Sequence, residues 1–186
     1  IDPAGWRSRM SAAFQDFQRL ELVARESVGT GDLARIEEVP VVAGAVARAT
    51  DSDLIATLPS GLETQLGKSY ADGHELSGGQ WQTMALARSM MRDAPLVLVL
   101  DEPTASLDAH AEYVLFQRYA AQARQVAHAS GGICILVSHR FSTVRMADQI
   151  LVMDDGRITE RGSHAALMEQ GGQYAALYRL QAAGYR

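Results

Sequence analysis

The chain has 186 residues, of which 47% are apolar and 21% are charged, a composition typical of one globular domain with room for a small subdomain. Its net charge of -5 argues against non-specific binding to nucleic acid, which requires a basic surface. No apolar run approaches the roughly 20 residues that span a bilayer. The single cysteine, Cys134, lies in an apolar run and is expected to be a core residue. The start, Ile1-Asp2-Pro3, is not a signal peptide, and we expect it to come from the middle of a longer polypeptide.

Apolar periodicity and turn residues predict the elements in chain order. We expect a strand near residues 10–14, a loop, and helices within residues 33–56 that are interrupted at Pro40. A polar loop at residues 67–73 precedes a helix at residues 78–92, for which Ser77 is the expected N-cap. The later predicted elements are a strand at 96–100, a helix at 109–129, a strand at 133–137, a helix at 141–146, strands at 149–153 and 157–161, and helices at 165–169 and 174–182.

Two of these strands predict the architecture. Residues 96–100 and 133–137 are continuous apolar runs, the pattern of parallel strands that are buried on both faces. A helical crossover of more than a dozen residues joins them, as a right-handed βαβ unit requires. The sequence therefore predicts an α/β domain, with the helical stretch between residues 33 and 93 as an insertion beside the sheet.

Polar side chains follow both strands. Asp101 and Glu102 end the first strand, and Ser138 and His139 follow the second. Ligands of open parallel sheets bind outside the carboxyl ends of the strands. One carboxylate there suits Mg²⁺, and a second can orient or deprotonate an attacking water, while a histidine can hydrogen-bond a phosphate oxygen. Taken alone, Asp101-Glu102-Pro103 is more simply explained as a turn that ends a strand.

A glycine turn opens the helix at residues 78–92. Glycines let backbone N–H groups approach an anion closely, and the start of a helix adds unpaired donors and a partial positive charge. Ser77-Gly78-Gly79-Gln80 therefore predicts a phosphate contact, although the same residues alone are also typical of a flexible turn or an N-cap.

In their order and spacing, these motifs resemble the ATP-binding cassette (ABC) family. Leu76-Ser77-Gly78-Gly79-Gln80 matches the signature motif of that family in every residue. Residues 96–102 are similar to its Walker B strand. The resemblance places Asp101 in the magnesium position and Glu102 in the catalytic-glutamate position.

Further segments extend the resemblance over residues 9–178. Gln15 fits the Q-loop glutamine, for which the resemblance implies contact with both the metal ion and the nucleotide. Asp108, in Ala105-Ser106-Leu107-Asp108, is similar to the D-loop aspartate, and His139 matches the catalytic switch histidine. Residues 147–150 and 156–164 resemble the closing segment of the family.

The resemblance implies a P-loop NTPase-like ABC ATPase fold. Its mostly parallel sheet core would comprise residues 1–19 and 94–186, its helical signature subdomain would lie at about residues 20–93, and N-terminal strands would be missing. The implied cofactors are ATP and Mg²⁺. The implied partners are a second ABC ATPase domain, in a homo- or heterodimer, and a transmembrane domain in the same parent polypeptide, at the cytoplasmic face of the cell membrane. No nucleic-acid partner is expected.

In this family two domains close head to tail around two ATP molecules. The resemblance implies that the signature of this chain faces the ATP of its partner, through Ser77, Gly78, Gly79 and Gln80. Its own ATP would be served by Gln15, Asp101, Glu102 and His139. The sequence contains no G-x-x-x-x-G-K-[ST] phosphate loop, so we expect the isolated chain neither to bind Mg-ATP tightly nor to hydrolyse it.

Two local features resemble exporter-type members of the family, Gly162-Ser163-His164 and His74-Glu75-Leu76. Trp81-Gln82-Thr83 departs from the family, because many members carry a basic residue after the signature. The leading prediction is the ATPase domain of an ABC exporter with an unknown substrate. The alternatives are a soluble ABC ATPase of DNA repair or translation and a non-catalytic fragment that supplies only a signature surface.

Overall fold

The computed structural model describes residues 2–102, 117, 120, 131–138 and 140–184. The chain divides into two compact units, residues 1–137 and residues 138–186. The helix predicted at residues 109–129 falls almost wholly outside the described residues. No helix in the described part combines the length and the apolar character needed to cross a membrane.

Among the described residues of the first unit, three strands form a parallel sheet in the order β1-β2-β3. These are β1 (Met10–Ala13), β2 (Val97–Asp101) and β3 (Ile133–Val137). Ala13 pairs with Leu100, and Asp101 pairs with Val137. The positions of the strands and the parallel α/β architecture are confirmed.

The expectation that both faces of β2 and β3 are buried is wrong. Leu98 and Leu100 are 2% and 0% exposed, whereas Val97 and Val99 on the other face are only half-buried. In β3, Ile133 is 62% exposed, and Ile135 and Val137 on the same face are each 48% exposed. A continuous apolar run shows that neither face is polar, but it does not report which face other elements cover.

The other regular elements in the described part of the first unit are helices. They are α1 (Pro3–Arg7), α2 (Ala24–Gly29), α3 (Val39–Ala49), α4 (Leu54–Thr57) and α5 (Gly78–Ser89), with 3₁₀ turns at Leu33–Arg35 and Gly61–Glu63. Sequence patterning missed α1 and α2, which are short, and extended α5 three residues too far. Pro40 lies in the first turn of α3, where its missing N–H costs no helical hydrogen bond.

Helix α5 is the centre of the helical layer. Both α2 and α3 pack against it. Val42 and Val46 of α3, together with Trp81 and Met84 of α5, are at most 2% exposed. Burial of each such side chain stabilises the fold by about 1.5–3 kcal/mol relative to exposure, so this contact holds the helices together.

In the second unit, β4 (Ile150–Asp154) and β5 (Arg157–Gly162) form an antiparallel hairpin. Its turn residues, Asp155 and Gly156, have φ values of 44° and 71°, as the tightest hairpin turns require. The helices are α6 (Phe141–Val144), α7 (His164–Gln170) and α8 (Gln173–Gly184).

The side chain of Glu160 joins this hairpin to α8. Its carboxylate accepts hydrogen bonds from the backbone N–H groups of Gln173 at 2.5 Å and Tyr174 at 3.0 Å. These donors belong to the first turn of α8 and have no partner within the helix. The glutamate of the closing segment therefore caps a helix.

Replacement of Gly31 by alanine tests the packing of residues 14–31 against α5. A Cβ at Gly31 would overlap the carbonyl oxygen of Arg88, which is backbone and has little room to move. We expect Gly31→Ala to lower the free energy of unfolding by about 1–3 kcal/mol in chemical denaturation. Gly44→Ala, in the middle of α3, is the matched control and should leave stability unchanged or raise it by up to about 1 kcal/mol.

Candidate functional site

The register of β1 and β2 brings three predicted site residues to one edge of the sheet. Because the strands are parallel and Ala13 pairs with Leu100, the chain leaves both strands at the same edge. Gln15 lies two residues after Ala13, and Asp101 and Glu102 follow Leu100. Gln15 is exposed, whereas Asp101 and Glu102 are half-buried. An amide and two carboxylates therefore share this edge of the sheet.

The backbone of Glu102 is unusual. Its φ of 42° lies in the left-handed region, which a residue with a side chain rarely adopts. Its N–H donates to the carbonyl oxygen of Val137 at 3.0 Å, which fixes the residue to the end of β3. Such a conformation costs about 1–3 kcal/mol and is concentrated at functional sites. The main chain of Glu102 is therefore fixed where its side chain begins, at the end of β3.

The donor set of this edge fits magnesium. A carboxylate from Asp101 and an amide oxygen from Gln15 are hard oxygen ligands, and Mg²⁺ in nucleotide sites takes one or two protein ligands beside waters and phosphates. Within the described part of the chain, no three histidine, cysteine or acidic side chains cluster as a metal cage.

The glycine turn before α5 forms a complete capping box. The Ser77 hydroxyl accepts from the N–H of Gln80 at 3.2 Å, and the Gln80 side-chain oxygen accepts from the N–H of Ser77 at 2.9 Å. The N–H of Trp81 donates to the carbonyl oxygen of Ser77. The sequence prediction of Ser77 as the N-cap is confirmed, and one polar atom of Gln80 is committed to the cap.

Gly78 and Gly79 supply the remaining donors of the first turn. Their N–H groups have no hydrogen-bond partner within the part of the chain that is described. A Cβ built on either glycine meets nothing within 4 Å. Nothing in the described fold therefore requires glycine here, and two N–H donors without a partner among the described residues suit an anion from outside the chain.

The segment from Gly61 to Ser69 contains the glycine, lysine and serine residues typical of a phosphate loop, but it does not have the geometry of one. Five residues separate Gly61 from Gly67-Lys68-Ser69, whereas the phosphate-loop motif has four. The N–H of Gly67 donates to the carbonyl oxygen of His74 at 3.0 Å, and the N–H of Ser69 donates to the carboxylate of Glu21 at 3.0 Å. Because these donors are occupied, the loop offers no cradle for phosphate.

Glu21 holds this loop against the segment that follows Gln15. Hydrogen bonds from the side chain and then the backbone of Ser69 lower the pKa of Glu21. The N–H of Leu66 also donates to the carbonyl oxygen of Leu22 at 3.0 Å. Sequence reasoning missed this contact because 48 positions separate Glu21 from Ser69.

Two predicted site residues, Asp108 and His139, lie outside the described residues, so their roles stay predictions. The structure brings Gln15, Asp101 and Glu102 to one edge, and it places Ser77 to Gln80 on a separate element, the N-terminal end of α5.

Comparison with known proteins gives the family. The family model described as "ABC transporter" matches residues 3–105, more than half of the chain. This chain belongs to the ABC transporter family. A bacterial Atm1-family ABC exporter with ATP bound has the same fold, with a TM-score of 0.78 and 34% identity over 95% of this chain and 29% of that one.

Curated relatives in the ABC transporter family include several transport proteins. An ATP-dependent lipid A-core flippase of Shewanella sp. (strain MR-4) is 48% identical over 69% of this chain and 20% of its own length. The nisin transport ATP-binding protein NisT of Lactococcus lactis subsp. lactis is 36% identical over 93% of this chain and 28% of its own length. The chain therefore spans about a fifth to just over a quarter of these relatives.

The capping box of this ABC protein predicts different effects for two neighbouring substitutions. Ser77→Ala removes the side-chain acceptor for the N–H of Gln80 and should lower the free energy of unfolding by about 1 kcal/mol. Gly79→Ala adds a methyl group to open space and should change stability by less than about 0.5 kcal/mol. Thermal and chemical denaturation check both values, and a large loss in Gly79→Ala would contradict the open geometry.

Proposed function

We propose that this chain is the ATP-binding and ATP-hydrolysing part of an ABC exporter and powers the export of a substrate across a membrane. The observation that carries the proposal is the shared sheet edge of Gln15, Asp101 and Glu102, with Glu102 held in a left-handed conformation. Family membership and the ABC exporters among its relatives support the same conclusion.

At the sheet edge, each residue has a separate task in ATP hydrolysis. Asp101 and Gln15 would hold Mg²⁺, which when bound neutralises negative charge on the phosphates. Glu102 accepts a proton from the attacking water, or orients that water, because it lies at the same sheet edge as Asp101 and Gln15. His139 donates a hydrogen bond to the terminal phosphate, and Asp108 contributes to nucleotide binding.

At the start of α5, the signature turn serves a different nucleotide. The N–H groups of Gly78 and Gly79, which have no partner in the described part of the chain, and the hydroxyl of Ser77 contact the terminal phosphate of an ATP held by a second ABC ATPase domain, with Gln80 completing the turn. A helix N-terminus stabilises negative charge that develops on the phosphate. Each chain therefore contributes to two nucleotide sites in the dimer.

The proposed partners follow from the relatives. A second ATPase domain completes each site, and a transmembrane domain, in the same polypeptide, converts domain closure into transport at the cytoplasmic face of the membrane. We propose residues 20–93 as the helical subdomain of this assembly and residues 1–19 and 94–186 as its sheet core. The relatives named for lipid A-core and nisin transport differ in cargo, so the cargo of this chain is not assigned.

We propose that the 186-residue chain alone binds Mg-ATP weakly and does not turn it over. A phosphate loop supplies a lysine and a row of backbone N–H donors, and the sequence contains no such motif. Isothermal titration calorimetry and a phosphate-release assay on the isolated chain test this proposal. Micromolar affinity for Mg-ATP together with steady hydrolysis would contradict the proposal.

Glu102→Gln tests the proposed base in an assembled exporter that includes this chain. We expect ATP binding to persist and turnover to fall by about 10²–10⁴-fold, because an amide cannot accept the proton. Glu169→Gln, at an exposed position on α7, is the matched control and should hydrolyse ATP at the normal rate. Unchanged turnover in Glu102→Gln would show that another group is the base.

Mixing two inactive variants tests whether the signature and the carboxylates belong to different sites. Gly79→Ala blocks the signature, and Glu102→Gln removes the base, so each homodimer should be inactive. In a mixed dimer both defects fall in one site and leave the other intact. Random mixing should restore about a quarter of wild-type hydrolysis if the two sites act independently. No recovery in mixtures shown to contain mixed dimers would contradict the proposed composite sites.

A further inference from the structure

Helix α5 contacts the chain that follows Gln15 at the end opposite to the signature. Its last turn carries Arg88, and Arg92 lies four residues further on. The Arg92 guanidinium donates to the carbonyl oxygens of Gly31 at 3.2 Å and Arg7 at 2.7 Å. Gly31 also lies directly on the backbone of Arg88, where no side chain would fit. The C-terminal end of α5 is therefore in close contact with one end of residues 14–31.

Arg88 reaches the inner part of the same segment. Its Nε donates to the carbonyl oxygen of Ser27 at 2.9 Å, and its Nη1 donates to that of Gln18 at 3.4 Å. Ser27 is fully buried in α2, and Gln18 lies three residues after Gln15. One side chain thus joins the exposed and the buried parts of the segment to α5.

Among the described residues, the hydrogen-bond partners of Arg88 are main-chain carbonyl oxygens. Over the described residues, Arg88 takes part in none of the ion pairs with carboxylates. Burial lowers the pKa of Arg88, yet the guanidinium stays charged at neutral pH because its ordinary pKa is far higher. A half-buried charged group that binds main-chain carbonyls fixes where the backbone runs, and it does not balance another charge.

Residues 14–22 contain no helix or strand that would hold them in place. Their position depends on the contacts of Gln18 with Arg88, of Glu21 with the loop at Ser69, and of Leu22 with Leu66. Gln15 precedes all of these contacts and follows β1 directly. A displacement of Gln18 relative to α5 would therefore carry Gln15 away from the sheet edge.

We propose that Arg88 is a positioning residue that fixes residues 14–31 to α5, the helix that the signature motif opens. The two elements then move as one body. The inference rests on the proposed function, because Gln15 and the signature then serve two different nucleotides. Motion that a nucleotide causes at one end of α5 reaches the other site through this contact. Lysine does not replace arginine here, because one ammonium group cannot reproduce the two separated donors of the guanidinium.

Hydrogen exchange on the 186-residue chain tests the contact without any nucleotide. In Arg88→Lys, the amides of Ser27, Thr30 and Gly31, which are hydrogen-bonded in and after α2, should exchange about 10-fold faster or more. Arg48→Lys is the matched control, because Arg48 donates to the carbonyl oxygen of Met90 at the same end of α5 but lies on α3. In the Arg48→Lys variant, the amides of residues 16–31 should exchange at the wild-type rate.

Two results of this experiment would overturn the inference. Unchanged exchange of residues 16–31 in Arg88→Lys would show that the side chain does not hold the segment. Equal acceleration of the whole chain in both variants would show a general effect on stability. If Arg88→Lys does not fold, the wild-type chain still gives an answer by nuclear magnetic resonance. The Nε–H signal of Arg88 should be protected from solvent, and exchange as fast as that of an exposed arginine would refute the contact.

Steady-state kinetics distinguish a positioning role of Arg88 from a role in nucleotide binding. They are measured in an assembled exporter that includes this chain. Arg88→Lys should lower kcat for ATP hydrolysis by about 10-fold and leave KM within about twofold, because Arg88 positions Gln15 without touching the nucleotide. An unchanged kcat, or a rise in KM alone, would contradict this role. Failure of the wild-type exporter to hydrolyse ATP would instead refute the proposed function, while the exchange experiment would still report on the contact.

Discussion

The parallel pairing of β2 with its two neighbours is the constraint on which the candidate site depends. The register of β1 on β2 carries Gln15 to the same edge as Asp101 and Glu102. The pairing of β3 on β2 then supplies the carbonyl oxygen of Val137, which holds the backbone of Glu102 in a left-handed conformation. A shift of one residue in either register would turn these side chains to the opposite face of the sheet.

The signature helix has a second role beyond its glycine turn. Within the described residues, the N–H groups of Gly78 and Gly79 at its N-terminal end have no partner, while its C-terminal end binds the backbone of the segment that follows Gln15. Between these ends, α2 and α3 bury their apolar faces against it. The helix is therefore both the scaffold of the helical layer and a direct physical connection between residues assigned to two nucleotide sites.

The described part of the chain also explains two family motifs in structural terms. Glu160 in the closing segment caps the first turn of α8, and Gln80 in the signature completes a capping box with Ser77. Both side chains therefore have a defined local task that does not involve a nucleotide. Gly79 differs from them, because a Cβ at this position would meet no atom within 4 Å in the described part of the chain.

Local chemistry was enough to predict several features from the sequence. Ser77 as an N-cap, the turn at Asp155-Gly156 and the strands that end at Asp101 and Val137 depend on neighbouring residues. The sequence also predicted that Asp101 and Glu102 lie at one edge of the sheet, and the resemblance assigned Gln15 to the same nucleotide. The short helices α1 and α2 were missed because a helix of five or six residues is stabilised by its packing more than by its own propensity.

By itself, the sequence determined the family, the α/β class and the residue types of the site, because motifs and apolar periodicity are written in the order of the residues. Only the tertiary structure decided which face of β2 is buried, that Glu102 has a positive φ, and that Arg88 binds the carbonyl oxygens of Ser27 and Gln18. Arg88 lies 61 positions from Ser27 and 70 from Gln18. Main-chain carbonyls are the same in every residue, so no sequence pattern identifies the partners of a side chain that binds them.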